Sequence, residues 1–453
     1  MSSGSGTIPR AVGFPPVAVA PRIPRMHASR FIWRQRWFDL TSGLLFRPSI
    51  IIVALGVLGV VVPPIEAQLL PRASAWLGTE PASAQVLLGT VAGSMMTVIS
   101  VVYSILLVAL SLASMQFSTR VLGGMMRSRV SQHILGLFAG TFVYCLMLLR
   151  SIHVEPAPEV PGIALSLALA LALTSLGGLV YFIHHIVQAI QAYHLVDRIA
   201  TDTEAVIDAV FTEPGAPTDL PAPAPVAPDA VIVCATTSGY IQALDVESLR
   251  RLVPPGGRLV VVYAMGAFVS RGLPLAYAEG GAIDPDAVRA AFDVGPVRTL
   301  QDDVEFGLRQ IVDIALKAIS PAVNDPSTAA TCIDHLGRLL IQLVGRRALP
   351  RERDGLVLPQ PTHPDLIDLA FEQIRQYSRS DMAVALRQMR VLGDLASVTR
   401  HRASLDRLAA HGRLIESAAR AAFPAEDCDE LERRAVRLRG FTGTTDRGSI
   451  PFA

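Results

Sequence analysis

Lysine is nearly missing from this chain of 453 residues: Lys317 is the only one among 40 basic residues, so a lysine-borne attachment site exists nowhere else. Cysteine is also scarce. Cys145, Cys234, Cys332 and Cys428 lie far apart without a C-x-x-C pair, a pattern that argues against a zinc ribbon, a redox motif or a secreted disulfide framework and fits a reduced, cytosolic side. Charge is low at 17% and balanced at a formal net +1, which gives no global attraction to nucleic acid. No G-x-S-x-G, H-E-x-x-H, Walker loop or strand-opening G-x-G-x-x-G occurs. The sequence therefore predicts no enzyme, no bound metal and no cofactor.

What the chain has in quantity is apolar sequence, 51% of residues with a mean hydropathy of +0.42, more than an ordinary soluble protein of this size carries. Four runs approach or exceed the roughly 20 apolar residues that cross a bilayer: Ser49 to Leu70, Val86 to Phe117, Ile134 to Leu149 and Ile163 to Val187. The third is short and extends toward Gln132 and Ile152. The spans are read as free of Asp, Glu, Lys and Arg, with Glu66 assigned to the loop beside Arg72. Arginine placement sets the orientation. Arg30, Arg34, Arg36 and Arg47 precede the first span and Arg120, Arg127 and Arg129 follow the second, so both termini are expected in the cytoplasm.

Sequence texture divides the chain into a basic tail (1–47), the four-helix transmembrane domain (48–190), a helix extension with a Pro/Ala linker (191–228), a small β module (229–282), a helical bundle (283–437) and a final tail (438–453). The expected class is a membrane α-helical protein with a cytosolic α+β region, the β module being barrel-like. In that module "SGYIQALD" and "PPGGRLVVVYAMGAFVSRGLPLAYAE" resemble the half-motifs of biotinyl and lipoyl carrier domains, matched at Ser238, Gly239, Gly266, Gly272, Pro274 and Leu275. A carrier also needs a lysine at the hairpin tip. The module has none, so a carrier-like fold there would bear no cofactor.

The second run holds the main functional candidate. Thr97, Ser100, Ser104, Ser111 and Ser118 fall on one strip about 60° wide at 100° per residue, with Gly93 and Val108 beside them. Two readings stand: copies of this helix surround a polar path for an ion in a homo-oligomer, or the small hydroxylated residues are a seam where helices pack closely. The absence of intramembrane charge argues against a proton relay. A second candidate is "LKAISPAVNDPSTAAT", where Pro321 stops one helix and Asp325 and Pro326 start another as N-cap and first residue. Asn324, Asp325, Ser327 and Thr328 gather oxygens and backbone N–H groups there, so the turn is either a cap alone or a site for a small ligand, ion or partner. His184, His185 and His194 with Asp197 form a third group, read as interfacial anchoring or as a metal or pH site.

The blocks "VAGSMMTVISVVYSILLVALSLASMQFSTRVL", "GLFAGTFVYCLMLLR" and "DVEFGLRQIVDIALKAISPAVNDPSTA" resemble a bacterial family of predicted integral membrane proteins, the domain of unknown function 2254 family. The resemblance implies a multi-span membrane protein with a large cytosolic region and brings no activity with it. The leading functional expectation is an oligomeric ion channel or transport-type pore lined by the second span and gated by the cytosolic domain. The alternative is a membrane-anchored scaffold or sensor that binds a partner or ligand through that domain. The partners expected are the lipid bilayer and further copies of the chain.

Overall fold

The computed structural model describes residues 46–69, 80–116, 129–152, 160–211, 224–299, 303–346 and 352–443. Its first four helices, α1 (Phe46–Leu69), α2 (Pro81–Gln116), α3 (Arg129–Leu149) and α4 (Gly162–Ile190), are each long and apolar enough to cross a membrane. At 1.5 Å per residue the 36 residues of α2 extend about 54 Å, well beyond a hydrocarbon core of about 30 Å. The surplus has a destination: Ala113, near the C-terminal end of α2, is fully buried in the same core as Leu195, Leu308 and Leu336 of the region beyond the spans.

α3 is the axis of this layer, packing against α1, α2 and α4. Small residues set how closely. A Cβ on Gly136 would lie 2.8 Å from Ile51 Cδ1 and 3.0 Å from Pro48 Cα, and one on Gly140 would lie 2.5 Å from Leu55 Cδ1, so α1 meets α3 at a distance only glycine permits. On the other side of α3, Thr141 Oγ1 and Ser175 Oγ share a buried hydrogen bond of 3.2 Å with α4. The outward residues of α1 and α4, such as Val53, Val57, Leu173 and Val180, are apolar and exposed, as lipid contact requires.

One expectation is corrected here. Glu66 is not in a loop: α1 continues through Pro63 and Pro64 to Leu69, and Glu66 is buried within it. The carboxylate is tolerated because both oxygens are engaged, Oε1 accepting from Ile163 N at 2.8 Å and Oε2 from Ala164 N at 3.0 Å. These are N–H groups of the first turn of α4, which no intrahelical carbonyl can satisfy.

Beyond the spans, α5 (Ala192–Val210) leads to β1 (Val231–Cys234), β2 (Gly239–Leu244), α6 (Val246–Arg251), β3 (Arg258–Val261), β4 (Phe268–Val269), β5 (Pro274–Glu279), α7 (Pro285–Ala290) and β6 (Phe292–Gly295). There follow α8 (Val304–Ala318), α9 (Pro326–Val344), the short strands β7 (Glu352–Arg353) and β8 (Leu356–Val357), α10 (His363–Tyr377), α11 (Met382–Val398), α12 (Arg402–Ala422) and α13 (Asp429–Gly443). The long helices bury one stripe each in a single core that includes Ile311, Leu336, Phe371, Leu392, Leu408 and Leu431.

Among the described residues the strands form no closed barrel, which corrects the barrel-like expectation. They make a five-stranded sheet ordered β1-β5-β3-β8-β7 and a three-stranded sheet ordered β4-β2-β6. β3 takes β8 as a parallel neighbour, Leu259 opposite Leu356, so its second edge is filled by residues 356–357 rather than by a strand of the other sheet. β6, at 292–295, likewise pairs with β2. Parts of the carrier-like pattern are visible as turns: Gly266 and Gly272 have φ of 76° and 89°, where a side chain would be strained, and Ser238 Oγ accepts from Arg271 N at 2.8 Å.

Candidate functional site

The side of α2 that packs inside the chain consists of Ala84, Leu88, Ala92, Met95, Val102, Ala109 and Ala113, all buried. Thr97, Ser100, Ser104 and Ser111 are all exposed and lie roughly 170° away around the helix at 100° per residue. Ser118 lies outside the described residues. Among the described residues the hydroxyl strip is therefore not a seam between helices of one chain. Thr97 Oγ1 donates to Gly93 O at 3.3 Å, Ser100 Oγ to Met96 O at 3.0 Å and Ser104 Oγ to Ser100 O at 2.9 Å. Each hydroxyl proton thus returns to its own helix, and the oxygens present only acceptor lone pairs outward. A Cβ on Gly89 or Gly93 would meet nothing within 4 Å, so the start of this face is open as well.

The second candidate is a compact helix-to-helix turn. Asn324 sits in the left-handed region at φ 50°, Asn324 N bonds to Ser320 O at 2.9 Å and Asp325 N to Ala318 O at 2.8 Å. Asp325 then caps α9, Oδ1 accepting from Thr328 N at 3.1 Å and Oδ2 from Thr328 Oγ1 at 2.6 Å, with Pro326 as the first helical residue. The Thr328 hydroxyl is the largest cause, with backbone N–H groups adding, of an Asp325 carboxyl pKa below the usual carboxylate value. The structure brings Asn324, Asp325, Ser327 and Thr328 together. Asn324 and Ser327 are the exposed members.

The histidines separate. Tyr181 and His185 stack with ring centroids 6.4 Å apart, and His194 meets Tyr193 edge-on at 5.5 Å. Asp197 pairs with Arg338 at 3.1 Å. Among the described residues no group of three or more His, Cys, Asp or Glu is placed to hold a metal ion.

Two further arrangements escaped the sequence reading. Asp197, Glu204 and Asp208 of α5 face Arg338 and Gln342 of α9 and Arg346 just past its end. In the bundle, buried His411 bonds through Nε2 to Asp368 Oδ1 at 2.8 Å, and Arg407 also binds Asp368. Burial pulls the His411 pKa below the ordinary imidazole value despite that carboxylate. The sequence trace of the first set is helical spacing: Asp197, Glu204 and Asp208 share one face of α5, and Arg338 and Gln342 lie one turn apart on α9.

Four long apolar helices, with a polar strip facing away from their own packing and a helical and sheet region attached, define a multi-span membrane protein. The sequence profile of the family described as Predicted membrane protein (DUF2254) matches residues 41–394, and the chain belongs to that family. It is 33% identical over 336 residues to uncharacterized proteins of Mycobacterium bovis and Mycobacterium tuberculosis. The match covers 70% of this chain and 64% of each relative, so the chain spans somewhat less than two thirds of those proteins. No solved structure matches.

Proposed function

We propose that the protein is an oligomeric, ion-conducting membrane protein in which the α2 helices of several copies turn their hydroxyl strips toward a common axis. The observation that carries this reading is the position of Thr97, Ser100, Ser104 and Ser111 on the face of α2 opposite its packing face, exposed in the single chain. With the protons of Thr97, Ser100 and Ser104 given to helix carbonyls, those oxygens suit replacement of part of a cation's hydration shell. The arginine-rich flanks favour insertion in a bacterial inner membrane with both termini and the C-terminal region in the cytoplasm. There the C-terminal region, which meets α2 at Ala113, would gate or assemble the oligomer.

A specific observation favours a second reading, in which the same face joins copies without a path. Gly89 and Gly93 form a small-xxx-small pair open on that face, the arrangement by which membrane helices approach most closely. Cysteines introduced singly at Ser100, Ser104 and Ser111 in the reconstituted protein separate the two. A water-lined path predicts reaction of these three with a water-soluble thiol reagent, with Ile105, Leu106 and the outward Leu173 of α4 protected. Equal protection of all six positions would leave the closed seam, and with it a scaffold or sensor acting through the C-terminal region.

A further inference from the structure

α4 and α5 are one run of helix interrupted at one residue. Gln191 is extended, with φ −71° and ψ 124°, and its N–H reaches back to Gln188 O, after which α5 begins at Ala192. A single extended residue between helices absorbs a change in their mutual angle without breaking bonds inside either, as hinge positions do.

On the far side of this joint α5 is fastened to the bundle twice. Its apolar stripe, Leu195, Val196, Ile199, Ala200 and Ile207, is buried. Thr203 closes the crossing with α8, since a Cβ on Gly307 would lie 2.1 Å from Thr203 Oγ1. The polar edge then runs along α9 in register. Arg338 grips Glu204 with two bonds, Nε to Oε1 at 2.6 Å and Nη2 to Oε2 at 2.5 Å, and reaches Asp197 at 3.1 Å. Gln342 Nε2 adds a bond to the same Glu204 at 3.0 Å. Arg346 binds Asp208 and the carbonyl of Phe211 at 2.8 Å. Glu204, 15% exposed, is the least exposed carboxylate of the ladder and Asp197 and Asp208 are its open ends.

Arg338 and Gln342 sit on α9, the helix that starts at the Asp325 turn, and Arg346 lies two residues past its last residue, Val344, so a displacement of α9 carries the Glu204 grip with it. A rigid grip on one side of a one-residue joint is the geometry of a lever. We propose that α5 is a coupling lever between the last span and the helical bundle, locked to α9 by the Arg338–Glu204 pair and turning at Gln191. The device works on displacement and stands whether or not α2 lines a path.

The test uses the full-length chain in lipid nanodiscs, with spin labels on Tyr181→Cys of α4 and Val436→Cys of α13, both exposed positions, in a Cys234→Ser background. Glu204→Lys is expected to broaden the interlabel distance distribution about twofold and to raise amide exchange over 192–210 about tenfold, with 363–443 unchanged, as a local rather than global opening. The double variant Glu204→Lys/Arg338→Glu, which restores the pair in reverse, is expected to return both readouts toward the native values. A distance distribution unchanged by Glu204→Lys overturns the lever, because the apolar stripe alone would then hold α5. Loss of protection across the whole bundle with no recovery in the double variant overturns it too, and Arg338→Gln is read by the same criteria should Glu204→Lys fail to fold.

Discussion

Glu66 near the end of α1 caps α4: its carboxylate lies 3.0 Å from Ala164 N, 98 residues later in the chain, and 2.8 Å from Ile163 N. α4 has no capping side chain of its own, since its N-cap is Pro161. The first-turn N–H groups and the positive end of the helix dipole are therefore answered by another helix. The Tyr144 hydroxyl donates to Ala164 O at 2.9 Å, which ties α3 to the same turn.

Replacing Glu66 by Ala leaves those N–H groups without a partner in a buried setting and is expected to destabilise the spans by about 2 kcal/mol. Glu66→Gln, which keeps one acceptor, is expected to cost about half as much. Unfolding titrations in mixed detergent micelles read both, and equal losses for Ala and Gln would mean that the negative charge, not the acceptor, does the capping.

Gly136→Val tests the α1–α3 contact. The first added carbon would already stand 3.0 Å from the backbone at Pro48, which cannot swing away as a side-chain tip can, so a loss of about 1–3 kcal/mol is expected. The same titration with Gly89→Val, where nothing lies within 4 Å, is expected to show little change in a single chain and a weakened oligomer in a cross-linking assay.

Asp325→Ala removes the cap of α9 and is expected to cost about 1 kcal/mol at neutral pH. Because the folded carboxyl pKa is depressed below 3.8, the contribution is fully present above that value and fades as pH falls through the folded pKa. Thermal unfolding of the two proteins should therefore converge on acidification below about pH 4. A ligand role predicts lost binding in the variant as well, which titration calorimetry with candidate ions would read.

His363 is buried where α9 ends and α10 begins, with Nε2 3.0 Å from Leu343 O and its ring 6.1 Å from that of His401. Burial first, and His401 second, hold its pKa below 6.5, against the opposing effect of the Leu343 carbonyl. The unfolded chain then binds the proton more readily, so stability falls as pH drops through 6.5 toward the folded value. His363→Gln, which keeps a donor toward Leu343 O, is expected to flatten that part of the stability–pH curve. An unchanged slope would assign it to His411 and His335, whose pKa values are also lowered by burial.

Features written over short distances were legible in the sequence. Length and lack of charge located the four long helices, from the expected 163–187 to the observed Gly162–Ile190, because a span is a local demand on composition. The Asp325 cap was legible for the same reason, since cap, proline and Thr328 fall within four successive positions. Glu66 was misread because Pro63, Pro64 and Arg72 signal a loop, whereas neighbouring helices let a membrane helix continue through proline. β8 escaped because two residues make no periodic signal, and β3 recruits them from almost a hundred positions away.

By itself the sequence determined which segments are apolar enough for lipid, where helices stop and start, and that Thr97, Ser100, Ser104 and Ser111 share one side of α2. These follow from composition and from the 3.6-residue period. Only the tertiary structure decided that this side is turned away from α3 and α4, that a carboxylate of α1 satisfies the N–H groups of α4, and that Arg338 meets Glu204 across 134 residues. Each of those depends on which helix lies beside which, and that is set by close approach at positions such as Gly136 and Gly307, where the absence of a side chain fixes the neighbour.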